Sequence, residues 1–247
     1  MKVPYIAFEK KNAPIRQKLI QAFENVLDSG KYIQGPEVEA FEREFADLCE
    51  TPFASGTSNG TDALLLIFRS FDIGPGDEVI TAPNSFIASA STIALVGAKP
   101  VFVDVAEDLN IDPGKIEAAI TSRTKAIVPV HLTGRPAKMV EINKIAKKHN
   151  LYVFEDAAQS VGAKLNNRPV GGWGDAAGFS LHPLKILHAY GDAGIITAKD
   201  AGIIERINQA KNHGLRNRDQ CDFWSYNCRL DELQAAFLRV QFAVLES

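Results

Sequence analysis

The sequence predicts an α/β domain, a mostly parallel central sheet with helices on both faces in an α/β/α sandwich. Two observations carry this. Short apolar runs of strand length alternate with helix-period patterns through the middle of the chain. No internal repeat, low-complexity tract or Pro-rich linker interrupts that alternation. The 247 residues, 46% hydrophobic, suffice for one sizeable core, or for one large domain with part of another.

Two amphipathic helices open the chain. Ile15, Leu19, Ile20, Phe23 and Leu27 share one face, and Gly30 sits where a C-cap glycine is favoured. After Gly35-Pro36, with the proline suited to a first turn, Val38, Phe41, Phe45 and Leu48 repeat at helical spacing. Strands are expected at Glu78–Thr81, Pro100–Val103, Ala126–Val130, Leu151–Glu155, Ala177–Leu181 and Gly194–Thr197. Helices are expected between them at Thr61–Phe71, Phe86–Val96, Pro113–Ala119, Met139–Lys148 and Ala201–Asn212. Ligands of such sheets bind where strands end and loops lead into helices. Near the carboxyl end Leu233, Phe237, Val240 and Val244 form a last amphipathic face, which is expected to need a partner domain or subunit.

Bulk properties exclude several classes. A net charge of −3 leaves no electrostatic footprint for nucleic acid or an anionic membrane. No apolar run approaches the roughly 20 residues of a membrane span. The amino terminus lacks the pattern of a signal peptide. Cys49, Cys221 and Cys228 are odd in number and well separated, which fits free thiols in a reducing cytoplasm.

Three segments carry candidate chemistry. In Phe154-Glu155-Asp156-Ala157-Ala158-Gln159, a buried-strand pattern delivers Glu155 and Asp156 to a carboxyl edge. A carboxylate there could serve a metal, a ribose, a general base or a protonated heterocycle, and a helix N-cap is an equal alternative. In Gly178-Phe179-Ser180-Leu181-His182-Pro183-Leu184-Lys185, one lysine follows a strand in an apolar setting. Desolvation favours its neutral, nucleophilic amine, whereas a snorkelling surface lysine is the commoner fate. Gly56-Thr57-Ser58-Asn59-Gly60-Thr61-Asp62 is a Gly- and hydroxyl-rich turn entering a helix, fit to cradle a phosphate or simply to cap the helix at Thr61. It is neither a Walker loop nor a dinucleotide fingerprint. Together the three ask for a ligand with a phosphate, an aldehyde and a basic ring nitrogen, and pyridoxal phosphate (PLP) has all three.

The chain resembles the DegT/DnrJ/EryC1/StrS family of fold-type I, PLP-dependent sugar aminotransferases. The resemblance includes Gly30-Lys31-Tyr32-Ile33-Gln34-Gly35-Pro36 with Phe41-Glu42, Ser58-Asn59-Gly60-Thr61, and Ala82-Pro83-Asn84-Ser85-Phe86. It continues through Pro129-Val130-His131-Leu132-Thr133-Gly134, Glu155-Asp156-Ala157-Ala158-Gln159 and Ser180-Leu181-His182-Pro183-Leu184-Lys185. It ends in Tyr226-Asn227-Cys228-Arg229-Leu230-Asp231-Glu232-Leu233-Gln234-Ala235-Ala236.

The resemblance implies roles. Lys185 would bind the cofactor's aldehyde carbon and later carry the proton between substrate and cofactor. Asp156 would pair with the ring nitrogen, Gln159 with the phenolic oxygen, and Phe86 would stack on the ring, with plain core packing as the alternative for Phe86. Gly60, Thr61, Asp62 and Ser180 would hold the phosphate, with the Asp62 carboxylate turned away from it. Asn227 would reach the phosphate of a neighbouring subunit, so a homodimer is expected. His182 and His188, near Lys185, are weaker candidates for lining a sugar pocket. The implied substrates are small molecules, an amino-acid donor such as glutamate and a keto- or aldehydo-sugar, usually nucleotide-linked, in amino-sugar or polysaccharide biosynthesis. Residues 1–247 would be the PLP-binding large domain with an N-terminal helical segment, lacking the family's smaller C-terminal domain. The alternative expectation is a non-catalytic or regulatory relative, or a truncated, inactive large domain.

Overall fold

The structure, a computed structural model, describes residues 6–245. Its strands in chain order are β1 (Phe53–Thr57), β2 (Glu78–Thr81), β3 (Lys99–Phe102), β4 (Thr124–Val128) and β5 (Tyr152–Asp156). Two short ones follow, β6 (Lys164–Leu165) and β7 (Arg168–Pro169), then β8 (Ala176–Ser180), β9 (Gly194–Ala198), β10 (Leu215–Asn217) and β11 (Gln220–Cys221). The helices are α1 (Phe8–Asn12), α2 (Arg16–Ser29), α3 (Pro36–Leu48), α4 (Gly60–Ser70) and α5 (Ala88–Leu95). The remainder are α6 (Pro113–Ala119), α7 (Met139–His149), α8 (Ala201–Ala210) and α9 (Glu232–Phe242). None among the described residues is long and apolar enough to cross a membrane.

Seven strands form one sheet in the order β1-β9-β8-β5-β4-β2-β3. The pairs β3·β2, β2·β4, β4·β5 and β5·β8 are parallel, whereas β9 is antiparallel to both β8 and β1. Six strands therefore run one way and β9 alone is reversed. The carboxyl ends of β1, β5 and β8 and the amino end of β9 consequently meet along one edge of the sheet.

Strand alternation sorts side chains onto two faces. Val79, Ala126, Val128, Phe154 and Ile196 pack with α4, α5 and α8. The opposite face is covered in two parts. Phe179 and Ile195 pack with Phe41 and Phe45 of α3 and Leu238 of α9, while Ile80, Ile127 and Val153 pack with α6 and α7. This is the layered α/β/α arrangement expected from the sequence.

Local chemistry explains the helix ends. Gly30 closes α2 at φ +64°, a conformation a residue without Cβ adopts freely. Pro36 opens α3, and Glu37 and Glu39 place negative charge at its amino end. That end is also capped from far along the chain, because buried Glu232 accepts from the N–H groups of Gly35 (2.9 Å), Glu37 (2.5 Å) and Val38 (3.3 Å).

Four expectations need correction. β1 lies outside the expected strands, since Phe53-Ala54-Ser55-Gly56-Thr57 carries few apolar side chains; its buried Ser55 bonds Asn208 instead. α5 starts at Ala88 rather than Phe86, and Phe86 and Ile87 are left exposed ahead of it. The buried side of α2 runs through Ile15, Leu19 and Val26, while Phe23 and Leu27 are exposed. In α9 the deepest residues are Glu232, Ala235, Ala236 and Leu238, held against α2 and α3, whereas Leu233, Phe237, Val240 and Val244 are only half-buried. The face expected to be uncovered is thus mostly a flank, and small residues make the close contact.

Candidate active site

The sheet register assembles the cradle. Gly194, at the start of β9, pairs with Thr57 at the end of β1 and with Ser180 at the end of β8. The chain turns from β1 through Ser58 and Asn59 into α4, whose first residue is Gly60. A Cβ on Gly60 would stand 2.7 Å from Ser180 Cβ, so only glycine lets the helix start lie this close to Ser180. Asn59 caps α4, its side-chain oxygen accepting from Asp62 N at 2.8 Å, while its carbonyl accepts from Ala63 N at 3.1 Å. Those bonds occupy the third and fourth N–H groups of the helix, and the geometry of a first turn leaves the Gly60 and Thr61 N–H groups without intrahelical partners. Two donors at the positive end of a helix dipole beside the Ser180 hydroxyl make an anion cradle. The Asp62 carboxylate is turned back onto the Ser58 hydroxyl and the Asn59 amide (2.8 Å).

Asp156 ends β5 one register step from the cradle, opposite Gly178 of β8. It is buried, and its Oδ2 accepts from Ser89 Oγ at 2.6 Å while Oδ1 accepts from Ala158 N at 3.2 Å. Burial pushes its carboxyl above the ordinary aspartate range, against the pull of the Ser89 bond, the Ala158 N–H, His131 and Lys185.

Glu155, its neighbour, does not share the site. Strand alternation turns it to the other face, where Oε2 takes His131 Nε2 (3.0 Å) and Gly171 N (3.0 Å). Oε1 takes Trp173 N and Gly174 N, both at 2.8 Å. His131 Nδ1 accepts from Ala137 N at 2.9 Å, which fixes the proton on Nε2. Burial pushes the Glu155 carboxyl up, but His131 and the backbone donors outweigh it and leave it below its ordinary value. The expectation that both carboxylates face a ligand therefore fails for Glu155, which fastens the Gly171–Gly174 loop to the sheet.

Lys185 lies on the connection from β8 to the reversed β9, its N–H bonded to His182 O at 2.8 Å. The side chain is half-buried, and desolvation draws its amine below the usual lysine range although Asp156 pulls the other way. Asp156 and Lys185 belong to the same sheet edge, and the charge of the carboxylate acts on the amine against its desolvation. Gln159 lies three residues beyond Asp156, and its Oε1 accepts from Thr133 N at 3.0 Å. Phe86 is 71% exposed, which removes core packing as the explanation for its ring. Asn227 is exposed on a segment paired with Asn212; within this chain its side chain makes no bond to Gly60, Thr61, Asp62 or Ser180. His188 is buried against Phe8, Tyr190 and Gln241, away from solvent, whereas His182 is exposed.

Sequence reasoning missed Ser89 and the His131–Glu155 pair. The available signal for Ser89 was weak, a serine one helical turn after Ser85, and for His131 it lay inside a matched segment without a stated role. It also missed Lys211, a buried amine that ties Glu42 (3.0 Å), Ser55 (2.7 Å) and the Gly56 carbonyl (3.1 Å) beneath the cradle turn.

Comparisons with known proteins place the chain in a family. The chain is 49% identical over 99% of its length to a dTDP-3-amino-3,6-dideoxy-alpha-D-galactopyranose transaminase of Aneurinibacillus thermoaerophilus, covering 68% of it. It is 42% identical over its full length to a pleiotropic regulatory protein of Geobacillus stearothermophilus, covering 66% of that protein. Among solved structures, S. venezuelae DesV in complex with a ketimine intermediate superposes with a TM-score of 0.96 at 42% identity, over 99% of this chain and 66% of that one. The chain thus spans about two thirds of the length of these relatives. The model of the DegT/DnrJ/EryC1/StrS aminotransferase family matches residues 14–247, running through the cradle, Asp156 and Lys185, and the chain belongs to that family.

Proposed function

We propose that this chain is the PLP-binding large domain of an aminotransferase. It would move an amino group from an amino acid, glutamate by our expectation, to a keto- or aldehydo-sugar carried on a nucleotide. The observation that carries the reading is the convergence on one sheet edge of buried Asp156, desolvated Lys185 and the Gly60–Ser180 cradle.

The residues present fit the cofactor. Its phosphate matches the N–H groups of Gly60 and Thr61 and the Thr61 and Ser180 hydroxyls, at a place where a Cβ would fill the space. Bound pyridoxal phosphate supplies an aldehyde for an amine and a ring that draws electrons from the substrate carbon. Asp156 holds a proton on the ring nitrogen, and each pKa unit of preference is worth about 1.4 kcal/mol. Lys185, drawn toward its neutral form by burial, would hold the cofactor through its amine and, when free, would serve as the base and acid for the substrate proton. Gln159 is assigned to the phenolic oxygen and Phe86, free of the core, to the ring face. Asp62 contributes its backbone while its carboxylate stays with Ser58 and Asn59.

Asn227, exposed and without a bond to its own cradle, supports a homodimer in which it serves the partner's phosphate. The exposed Phe86, Ile87, Leu184 and Ile186 beside the site residues also suit a covering subunit. Free Cys49, Cys221 and Cys228 suit a reducing compartment such as the cytoplasm. A relative with a regulatory name motivates a second reading, a regulator that keeps the site without using it.

Supplying the chain with PLP, glutamate and a dTDP-linked keto-sugar decides between them. Formation of 2-oxoglutarate and amino-sugar, lost in Lys185→Ala, is expected. Absence of transfer by the cofactor-loaded chain, or unchanged transfer by Lys185→Ala, would refute the catalytic reading.

A further inference from the structure

Among the described residues two groups hydrogen-bond to the Asp156 carboxylate, the Ala158 N–H and the Ser89 hydroxyl. Ser89 is 1% exposed in the first turn of α5. Its own N–H donates to Phe86 O at 3.1 Å, and its Oγ lies 2.8 Å from Ser85 Oγ. With the Ser89 hydroxyl donating to Asp156 Oδ2, its single proton is committed, and the 2.8 Å bond between the serines has Ser85 as the donor. The relay then runs from Ser85 to Ser89 to Asp156, and bonds in such a series polarise one another.

The titratable groups around Asp156 are few. Lys185 approaches from the β8–β9 connection and His131 from the segment after β4, while Glu155 of β5 faces the other side of the sheet. Neither Lys185 nor His131 forms a hydrogen bond to the carboxylate. A buried aspartate left to Coulomb attraction alone would rotate and tend to take up a proton.

We propose that Ser89, backed by Ser85, is a positioning residue that fixes the Asp156 carboxylate and holds it ionised for the cofactor ring nitrogen. The assignment rests on the reading of Asp156 given above. It also ties the ring-facing loop to the carboxylate, since Ser85 and Phe86 belong to the same stretch of chain and Ser89 bonds both.

The test is the titration of the Asp156 carboxyl by NMR in the cofactor-free chain with 13C-labelled aspartate, Asp156→Asn supplying the assignment. Ser89→Ala is expected to raise the apparent pKa by about one unit, a tenfold gain in proton affinity. Ser89→Thr should restore the native value, and Ser85→Ala should raise it by less than Ser89→Ala. The visible band of the PLP-loaded protein should shift its pH dependence in the same order. An unchanged titration in a natively folded Ser89→Ala, or a Ser89→Thr that behaves like it, overturns the proposal. Should Ser89→Ala fail to fold, Ser85→Ala and Ser89→Thr decide, and an unshifted Ser85→Ala refutes the relay. Because the carboxyl is followed without cofactor or substrate, lack of amino transfer would refute the proposed activity and leave this result standing.

Discussion

Replacing Glu155 by Gln changes one atom and should cost the fold heavily. The carboxylate accepts four bonds of 2.8–3.0 Å, two on each oxygen. Whichever oxygen becomes NH2, two donors then face a donor: either His131 Nε2 with Gly171 N, or Trp173 N with Gly174 N. The Nδ1 bond from Ala137 N keeps His131 from turning its acceptor side to the amide. Hydrogen bonds to a charged group contribute about 1.5–3 kcal/mol each, so two losses amount to about 3–6 kcal/mol. For a domain of this size about 1 kcal/mol moves Tm by roughly 2–4 °C, so a fall of at least about 6 °C at pH 7 is expected. Thermal melts followed by circular dichroism and calorimetry measure it. The pH dependence has a definite sign. Because Glu155 is held below its ordinary value, its contribution is complete above the unfolded carboxyl pKa of about 4.3 and is lost as pH falls through the folded value. Melting curves of native and Glu155→Gln protein should therefore converge in acid. A Tm drop below about 2 °C at pH 7 would refute the structural role and return Glu155 to the list of ligand-facing carboxylates.

Two further outcomes follow from particular contacts. Gly60→Ala places a methyl 2.7 Å from Ser180 Cβ and 3.0 Å from its Cα, an overpacking of about 1–3 kcal/mol; equilibrium dialysis should show PLP retention weakened at least several-fold, and unchanged retention would contradict the cradle. Glu78, bonded by Thr121 (2.6 Å) and Arg123 (2.5 Å), has its carboxyl drawn down to about 2. Its stabilisation is present above about pH 4.3 and lost between there and about 2, so Glu78→Gln should lower Tm at neutral pH and flatten its acid limb; parallel curves would contradict this.

Much of this was legible in the residues because the physics was local. The alternation of short apolar runs with helix-period patterns located most helices and most sheet strands to within about two residues, and Gly30 and Pro36 marked the ends they were expected to mark. Strand direction is not encoded in periodicity, so the reversal of β9, which brings Gly194 between Thr57 and Ser180, could not be read. β1 escaped notice because its burial is achieved by small and polar side chains, satisfied by Asn208 and Lys211 from distant sequence. The adjacent carboxylates show the same limit. Sequence placed Glu155 and Asp156 together at a strand end, and only the alternation of the folded strand, with His131 and the Gly171–Gly174 loop on one side and Ser89 on the other, separates their duties.

Lys185, at the sheet edge that carries Asp156 and the Gly60–Ser180 cradle, is proposed to hold and use the cofactor. The visible absorbance spectrum of the PLP-treated chain, before and after glutamate, tests it most directly. A yellow band that survives desalting, declines on addition of glutamate, and is missing from Lys185→Ala is expected. A colourless native protein, or the same band in Lys185→Ala, would contradict it.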